Sequence, residues 1–131
     1  MTVDLKNINI QSQETFAGVG ETSNDSLYFV EAVVITSTYH DGMSWRRTYS
    51  DGWCEQGGQV SAVEVDTEVA VPLHTSFKDT NYTVTVTPYG TYSTGDVPSG
   101  IVVSKSTGNF HLTNSGSAQQ SFMWEAKGYI S

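Results

Sequence analysis

Apolar residues in this chain alternate with polar ones over several short stretches, and no window sustains a 3.6-residue repeat. In 81–88, Tyr82, Val84 and Val86 alternate with Thr83, Thr85 and Thr87, the signature of a half-buried strand. Ile101-Val102-Val103, Phe110-His111-Leu112 and the closing run 121–129 read as further strands. The most apolar stretch, 27–36, is β-branched and predicts a central strand, which Tyr39-His40-Asp41-Gly42 closes as a turn. Between 60 and 71, Val63, Val65, Val69 and Val71 alternate with Glu64, Asp66 and Glu68, predicting a strand face of solvated acids. Turn residues return every 8–15 positions, so the expected fold is all-β, an antiparallel β-sandwich. Residues 1–26 read as an extended lead-in, with one short strand over Val3, Leu5, Ile8 and Ile10 and a polar linker after it. The sandwich domain is expected over 27–131.

One segment is denser in signals than the rest. In Trp45-Arg46-Arg47-Thr48-Tyr49-Ser50-Asp51-Gly52-Trp53-Cys54-Glu55-Gln56-Gly57-Gly58, Asp51-Gly52 is a tight-turn pair between two β-favouring flanks, and Gly57-Gly58 reads as a stop. A two-residue turn would set Tyr49 opposite Cys54 and Thr48 opposite Glu55. Alternation would then put Trp45, Arg47, Tyr49 and Cys54 on one face, and Arg46, Thr48, Trp53 and Glu55 on the other. On that register Arg46 and Glu55 lie within reach of a cross-strand ion pair. Neither face is plainly solvent or core, as expected if one of them meets another subunit.

The same run resembles the C-terminal domain of bacteriophage and prophage tail-fibre proteins, in which a segment close to S-W-Y-R-x-Y-S-D-G-W-x-E-Q-G-G recurs. The match runs from Ser44 to Gly58, with Arg46 where the family often carries an aromatic. Val71-Pro72-Leu73, Phe77 and Asn81-Tyr82 through Thr87 resemble the family's V-x-L-P…F…Y-x-V, with Pro72 preceding Leu73. Trp124-Glu125-Ala126-Lys127-Gly128-Tyr129 resembles its closing W-x-A-x-G-Y. The last two segments are also similar to H-type lectins, a trimeric sugar-binding β-sandwich family. The resemblance implies a homotrimer at the tip of a virion tail fibre, assembled in the host cytoplasm, with the rest of the fibre on its N-terminal side. It implies attachment to a bacterial surface saccharide such as lipopolysaccharide or capsule. Two alternatives remain: a purely structural trimerising cap, and an H-type-lectin-like carbohydrate-binding module.

Composition narrows the chemistry. With 14 acidic against 6 basic residues the net charge is −8, the wrong sign for tracking phosphates, so no nucleic-acid partner is expected. No apolar run approaches the roughly 18 residues of a membrane-spanning helix, so no membrane insertion is expected. Cys54 is the sole cysteine, leaving no intrachain disulfide, and it reads as a small core hydrophobe. His40, His74 and His111 are too far apart in sequence to form a metal-ligand pair, and no nucleotide-binding glycine loop occurs. The acids sit in no catalytic motif, so neither enzyme activity, metal nor cofactor is expected.

Sugar recognition needs aromatic rings for C–H faces and fixed polar groups for hydroxyls. Two segments supply them: Tyr39-His40-Asp41, and the loop 88–100 with Tyr89, Tyr92 and Asp96. Arg46 and Trp53 complete the candidate glycan-binding set, with Trp53 open to either ligand stacking or inter-subunit packing. Trp45, Tyr49, Asp51, Gly52, Cys54, Glu55, Gly57 and Gly58 are expected to maintain the hairpin.

Overall fold

A computed structural model describes residues 32–91 and 93–131, and Ile35–Ser131 form one compact unit. The lead-in strand and linker, the start of the 27–36 run, and Tyr92 lie outside the described residues. Eight strands follow in order: β1 (Ile35–Asp41), β2 (Ser44–Tyr49), β3 (Trp53–Val63), β4 (Glu68–Pro72), β5 (Thr83–Tyr89), β6 (Gly100–Lys105), β7 (Asn109–Asn114) and β8 (Gln120–Tyr129). They form two sheets in a sandwich-like arrangement, a five-stranded one ordered β1-β2-β3-β8-β5 and a three-stranded one ordered β4-β7-β6. All described pairings are antiparallel.

Alternation decides which side of each strand is core. In β8, Phe122, Trp124, Ala126 and Gly128 are buried while Met123, Glu125, Lys127 and Tyr129 are exposed. Phe110 and Leu112 of β7 meet them from the second sheet, with Val71, Phe77 and Tyr82 closing the same cluster. Phe110, Leu112 and Phe122 are each 0% exposed, and full burial of such a side chain stabilises by roughly 1.5–3 kcal/mol. Buried polar groups in this core are bonded. Asn114 donates to the carbonyls of Val63 (2.8 Å) and Ala118 (2.9 Å) and accepts from the Gly116 amide (2.9 Å). The Tyr82 hydroxyl lies 2.7 Å from the Ser106 carbonyl and 2.9 Å from that of Asn109, and burial pushes its pKa up.

Four expectations need correction. The apolar run ending at Thr36 does not supply a central strand within its described part. Val33, Val34 and Ile35 are exposed, and β1 begins only at Ile35 and stands outermost among the described strands of its sheet. The valines of 60–71 do not belong to one strand either. The chain turns at Val65-Asp66 between β3 and β4 and changes sheet there, with Asp66 at φ 56°, a conformation Asp tolerates better than most residues. Glu64, Asp66 and Glu68 are nonetheless exposed.

The third correction concerns the hairpin register. Thr48 faces Cys54, Arg47 faces Glu55 and Arg46 faces Gln56, so Ser50-Asp51-Gly52 is a three-residue loop. The Gly52 amide donates to the Tyr49 carbonyl (3.0 Å) and Gly52 has φ 89°, the type I turn followed by a left-handed glycine that suits this loop length. The two-residue loop is Gly42-Met43 instead, joining Asp41 to Ser44, with Gly42 at φ 60°. A one-residue slip moves every side chain of β3 to the opposite face. Cys54 therefore turns inward with Thr48, Arg46 and Gln56, while Trp53 and Glu55 turn outward with Trp45 and Arg47. The expected Arg46–Glu55 ion pair is lost with it, since the two residues lie on opposite faces. Cys54 is fully buried; burial raises its thiol pKa, opposed by the Arg46 charge and aided by that of Glu55.

Gly57-Gly58 is not a stop, because β3 runs through both to Val63. A Cβ on Gly57 would sit 2.5 Å from Trp45 Nε1, and one on Gly58 would sit 3.1 Å from Trp124 Nε1. The two glycines thus let one indole lie against each side of the sheet. Gly52 is tied down differently. Its carbonyl accepts from the Ile130 amide (2.8 Å), and a Cβ there would meet Ser131 Oγ at 2.5 Å. Gly52→Val should cost more than about 1 kcal/mol through strain at positive φ alone. Chemical denaturation measures this, and an unchanged midpoint would contradict the loop assignment.

Candidate functional site

The outward face of the five-stranded sheet carries the most unusual surface of the described residues. Across its middle run, in register, His40, Trp45, Gly57, Glu125 and Thr85. Gly57 has no side chain, so the half-buried Trp45 indole lies down over it instead of standing into solvent. A groove of about 350 Å³ results, lined by Met43, Trp45, Thr85, Thr87, Met123 and Glu125. An indole, a carboxylate and two threonine hydroxyls on a rigid sheet supply both an apolar platform and hydrogen-bonding groups for a hydroxylated ligand. Met43 and Met123 are exposed beside them.

A second groove, about 600 Å³, shares Trp45 and reaches the β1 edge, lined also by Tyr39, His40, Arg46, Arg47 and Glu55. The Trp53 indole donates to Glu55 Oε1 (3.3 Å) and packs edge-to-face on Tyr129 with ring centroids 5.1 Å apart. Lys78 Nζ stands 5.4 Å from the centre of the same tyrosine ring.

The candidate residues from the sequence do not form one cluster. His40, Trp53 and Tyr89 lie on the outward face, where the Tyr89 hydroxyl donates to Gln59 Oε1. Tyr39 and Arg46 pair with each other on the opposite face, and Asp41, two residues on at the end of β1, shares that face with them. Asp96 is occupied within its own turn, its Oδ2 accepting from the Ser93 amide (2.8 Å). That turn is pinned to residues 115–117, since the Val97 amide donates to Ser117 Oγ (2.8 Å) and the Ser115 amide to the Ser99 carbonyl (3.0 Å).

Most hairpin residues have defined intramolecular tasks. Asp51 Oδ1 accepts from the Trp53 amide (3.0 Å). Gln56, fully buried, clamps the segment after β4. Its Oε1 accepts from the amides of His74 (2.7 Å) and Thr75 (3.1 Å), and its Nε2 donates to the Thr75 carbonyl (2.8 Å). The clamp places the His74 ring between Tyr39 and Trp124, at centroid distances of 5.9 Å and 5.5 Å, with Nε2 2.8 Å from the Gly57 carbonyl. Sequence reasoning passed over Gln56, Thr75 and His74 in this role, and over Glu125 and Thr85 in the groove. A glutamine between a buried cysteine and two glycines was the one available signal.

No protein-family model matches the chain, and no curated protein matches it. Solved structures do. One is the C-terminal part of the P. aeruginosa R2 pyocin fibre, with TM-score 0.61 and 20% identity over 81% of this chain and 28% of that one. Another is an N-truncated R2-type pyocin tail fibre, with TM-score 0.62 and 20% identity over 81% of this chain and 41% of that one. The fold resembles that of a pyocin tail fibre. At this identity the likeness is one of fold, and the chain spans less than half of either pyocin structure.

Proposed function

We propose that this chain forms the tip of a phage-type tail fibre and attaches it to a saccharide of the bacterial surface. The observation that carries the reading is the Trp45 groove, set between Thr85, Thr87 and Glu125 on a fold shared with the C-terminal part of a pyocin tail fibre. An indole lying flat on a sheet offers its face to a sugar ring, while the carboxylate and hydroxyls meet the ring substituents. A single such site is weak, so attachment works through several copies on a repetitive surface. Three chains per tip supply those copies, and exposed Tyr129, Ile101 and Val103, outside the groove lining, offer apolar area for packing between them. Light scattering behind size exclusion should give three times the 14.3 kDa chain mass.

The functional test is co-sedimentation of fluorescently labelled protein with cells from a panel of bacterial strains. Binding to some strains and not others is expected. Trp45→Ala should weaken the retained binding about tenfold or more, about 1.4 kcal/mol, since the sugar ring loses its apolar platform. Absence of binding to every strain, or full binding by Trp45→Ala, would overturn the reading.

A further inference from the structure

The Trp45 groove is lined by one ionisable group, and that group is an anion. Glu125 stands there with Met43, Trp45, Thr85, Thr87 and Met123, and no lysine, arginine or histidine joins the lining. Arg47 and Lys127 belong to the next row across the sheet, with Glu55 between them in register. Lys127 Nζ comes only to 4.0 Å from Glu125 Oε2, with both side chains about half exposed, and a pair of that kind holds a carboxylate weakly. The indole is open in the same way. Trp53 packs on Tyr129, and Trp124 on His74 and Phe110. The lysines that stand over aromatic rings lie on Tyr129 and Tyr82. Among the described residues no ring or cation is stacked on Trp45.

We propose that this groove binds a primary ammonium group of the surface saccharide, carried as the free amine of an amino sugar or as an ethanolamine phosphate. This rests on the fibre-tip reading and names the chemical class of its receptor. A cation over an aromatic face is attracted by the ring quadrupole, and Trp is the best side chain for it. Trp45, Gly57 and Glu125 follow one another across three strands, so the indole lying over Gly57 brings its ring toward the carboxylate. An ammonium between them is faced by the ring on one side and paired with Glu125 on the other, and a charged hydrogen bond of that kind is roughly twice as strong as a neutral one. The Thr85 and Thr87 hydroxyls accept its remaining protons or meet neighbouring sugar hydroxyls. An N-acetylated sugar has no charge to offer Glu125, and an acidic one has the wrong sign for a chain of net charge −8.

The test uses surface polysaccharide purified from a strain that the whole protein binds, in three forms: untreated, N-acetylated with acetic anhydride in aqueous bicarbonate, and dephosphorylated with hydrogen fluoride. Affinity is read by biolayer interferometry for the wild type and Glu125→Gln. N-acetylation should weaken wild-type binding at least tenfold. The same loss on dephosphorylation identifies an ethanolamine phosphate, and loss on N-acetylation alone identifies a sugar amine. Glu125 is exposed, so Glu125→Gln should keep the wild-type melting temperature while losing at least fivefold on the untreated form. On the N-acetylated form the two proteins should bind alike, because the charge that Glu125 serves is gone. Wild-type binding that survives N-acetylation, or Glu125→Gln binding that is undiminished or diminished equally on both forms, would overturn the proposal while leaving the fibre-tip reading standing. Failure to bind any strain would instead remove the reading beneath it.

Discussion

Gln56→Met should lower stability by about 3 kcal/mol, the largest loss expected from any single change in the hairpin motif. Methionine fills the same volume, so packing is nearly conserved, and the loss falls on hydrogen bonding. Three backbone groups of the 73–77 segment are left without the amide that serves them, namely the N–H groups of His74 and Thr75 and the Thr75 carbonyl. Each stranded group costs roughly 1–3 kcal/mol when buried, and these are partly buried, so about 1 kcal/mol apiece applies. For a unit of this size that corresponds to a melting temperature lowered by roughly 12 °C or more at fixed protein concentration. Near-ultraviolet circular dichroism should change as well, because the same clamp holds His74 against Trp124. A Gln56→Met protein that melts with the wild type would show that the segment is held by its apolar contacts alone.

Gly57→Ala is expected to be nearly as costly, and for a different reason. Its Cβ would lie 2.5 Å from Trp45 Nε1 and 2.7 Å from the backbone oxygen of Trp124. The indole is able to swing away but the carbonyl belongs to the neighbouring strand β8 and is not. Overpacking of this kind costs typically 1–3 kcal/mol, so a loss of about 2 kcal/mol is expected. The groove would also lose its platform, giving a red-shifted Trp45 emission and weaker cell binding. Gly58→Ala is the internal control, since its Cβ would approach only ring atoms of Trp124, at 3.1–3.2 Å, and should cost less. Equal effects of the two alanines would contradict the arrangement of one indole on each side of β3.

How far the sequence could be read divides along physical lines. The all-β class and strands β5, β6, β7 and β8 were legible, because half-buried strands force period-2 alternation and Thr83–Thr87 or Phe122–Tyr129 have no helical reading. The hairpin was legible as a hairpin but not in register. Asp51-Gly52 is compatible with a loop of two residues or three, and the choice depends on which residues of β3 pack inward. Slipping by one exchanged Cys54 with Trp53 and Glu55, and so misplaced the arginine–glutamate contact and the core side of Trp45. The described part of the 27–36 run, residues 32–36, differs from its expectation for another reason. Hydrophobicity marks what is able to be buried, and the outermost place of β1 among the described strands depends on sheet order, which no local pattern encodes. The outward groove was illegible because it joins the β2–β3 hairpin to β5 and β8, which lie far from it in sequence. Its central residue, Trp45, looked structural until Gly57 was seen to lie beneath it.

Attachment to a surface saccharide is tested most directly by an isogenic pair of bacteria: a strain that binds the labelled protein, and its derivative lacking the surface polysaccharide. Binding to the parent and its loss on the derivative, restored when the biosynthetic lesion is complemented, is the predicted result. Equal binding to both strains would contradict a saccharide receptor and leave the Trp45 face as a surface for packing between subunits.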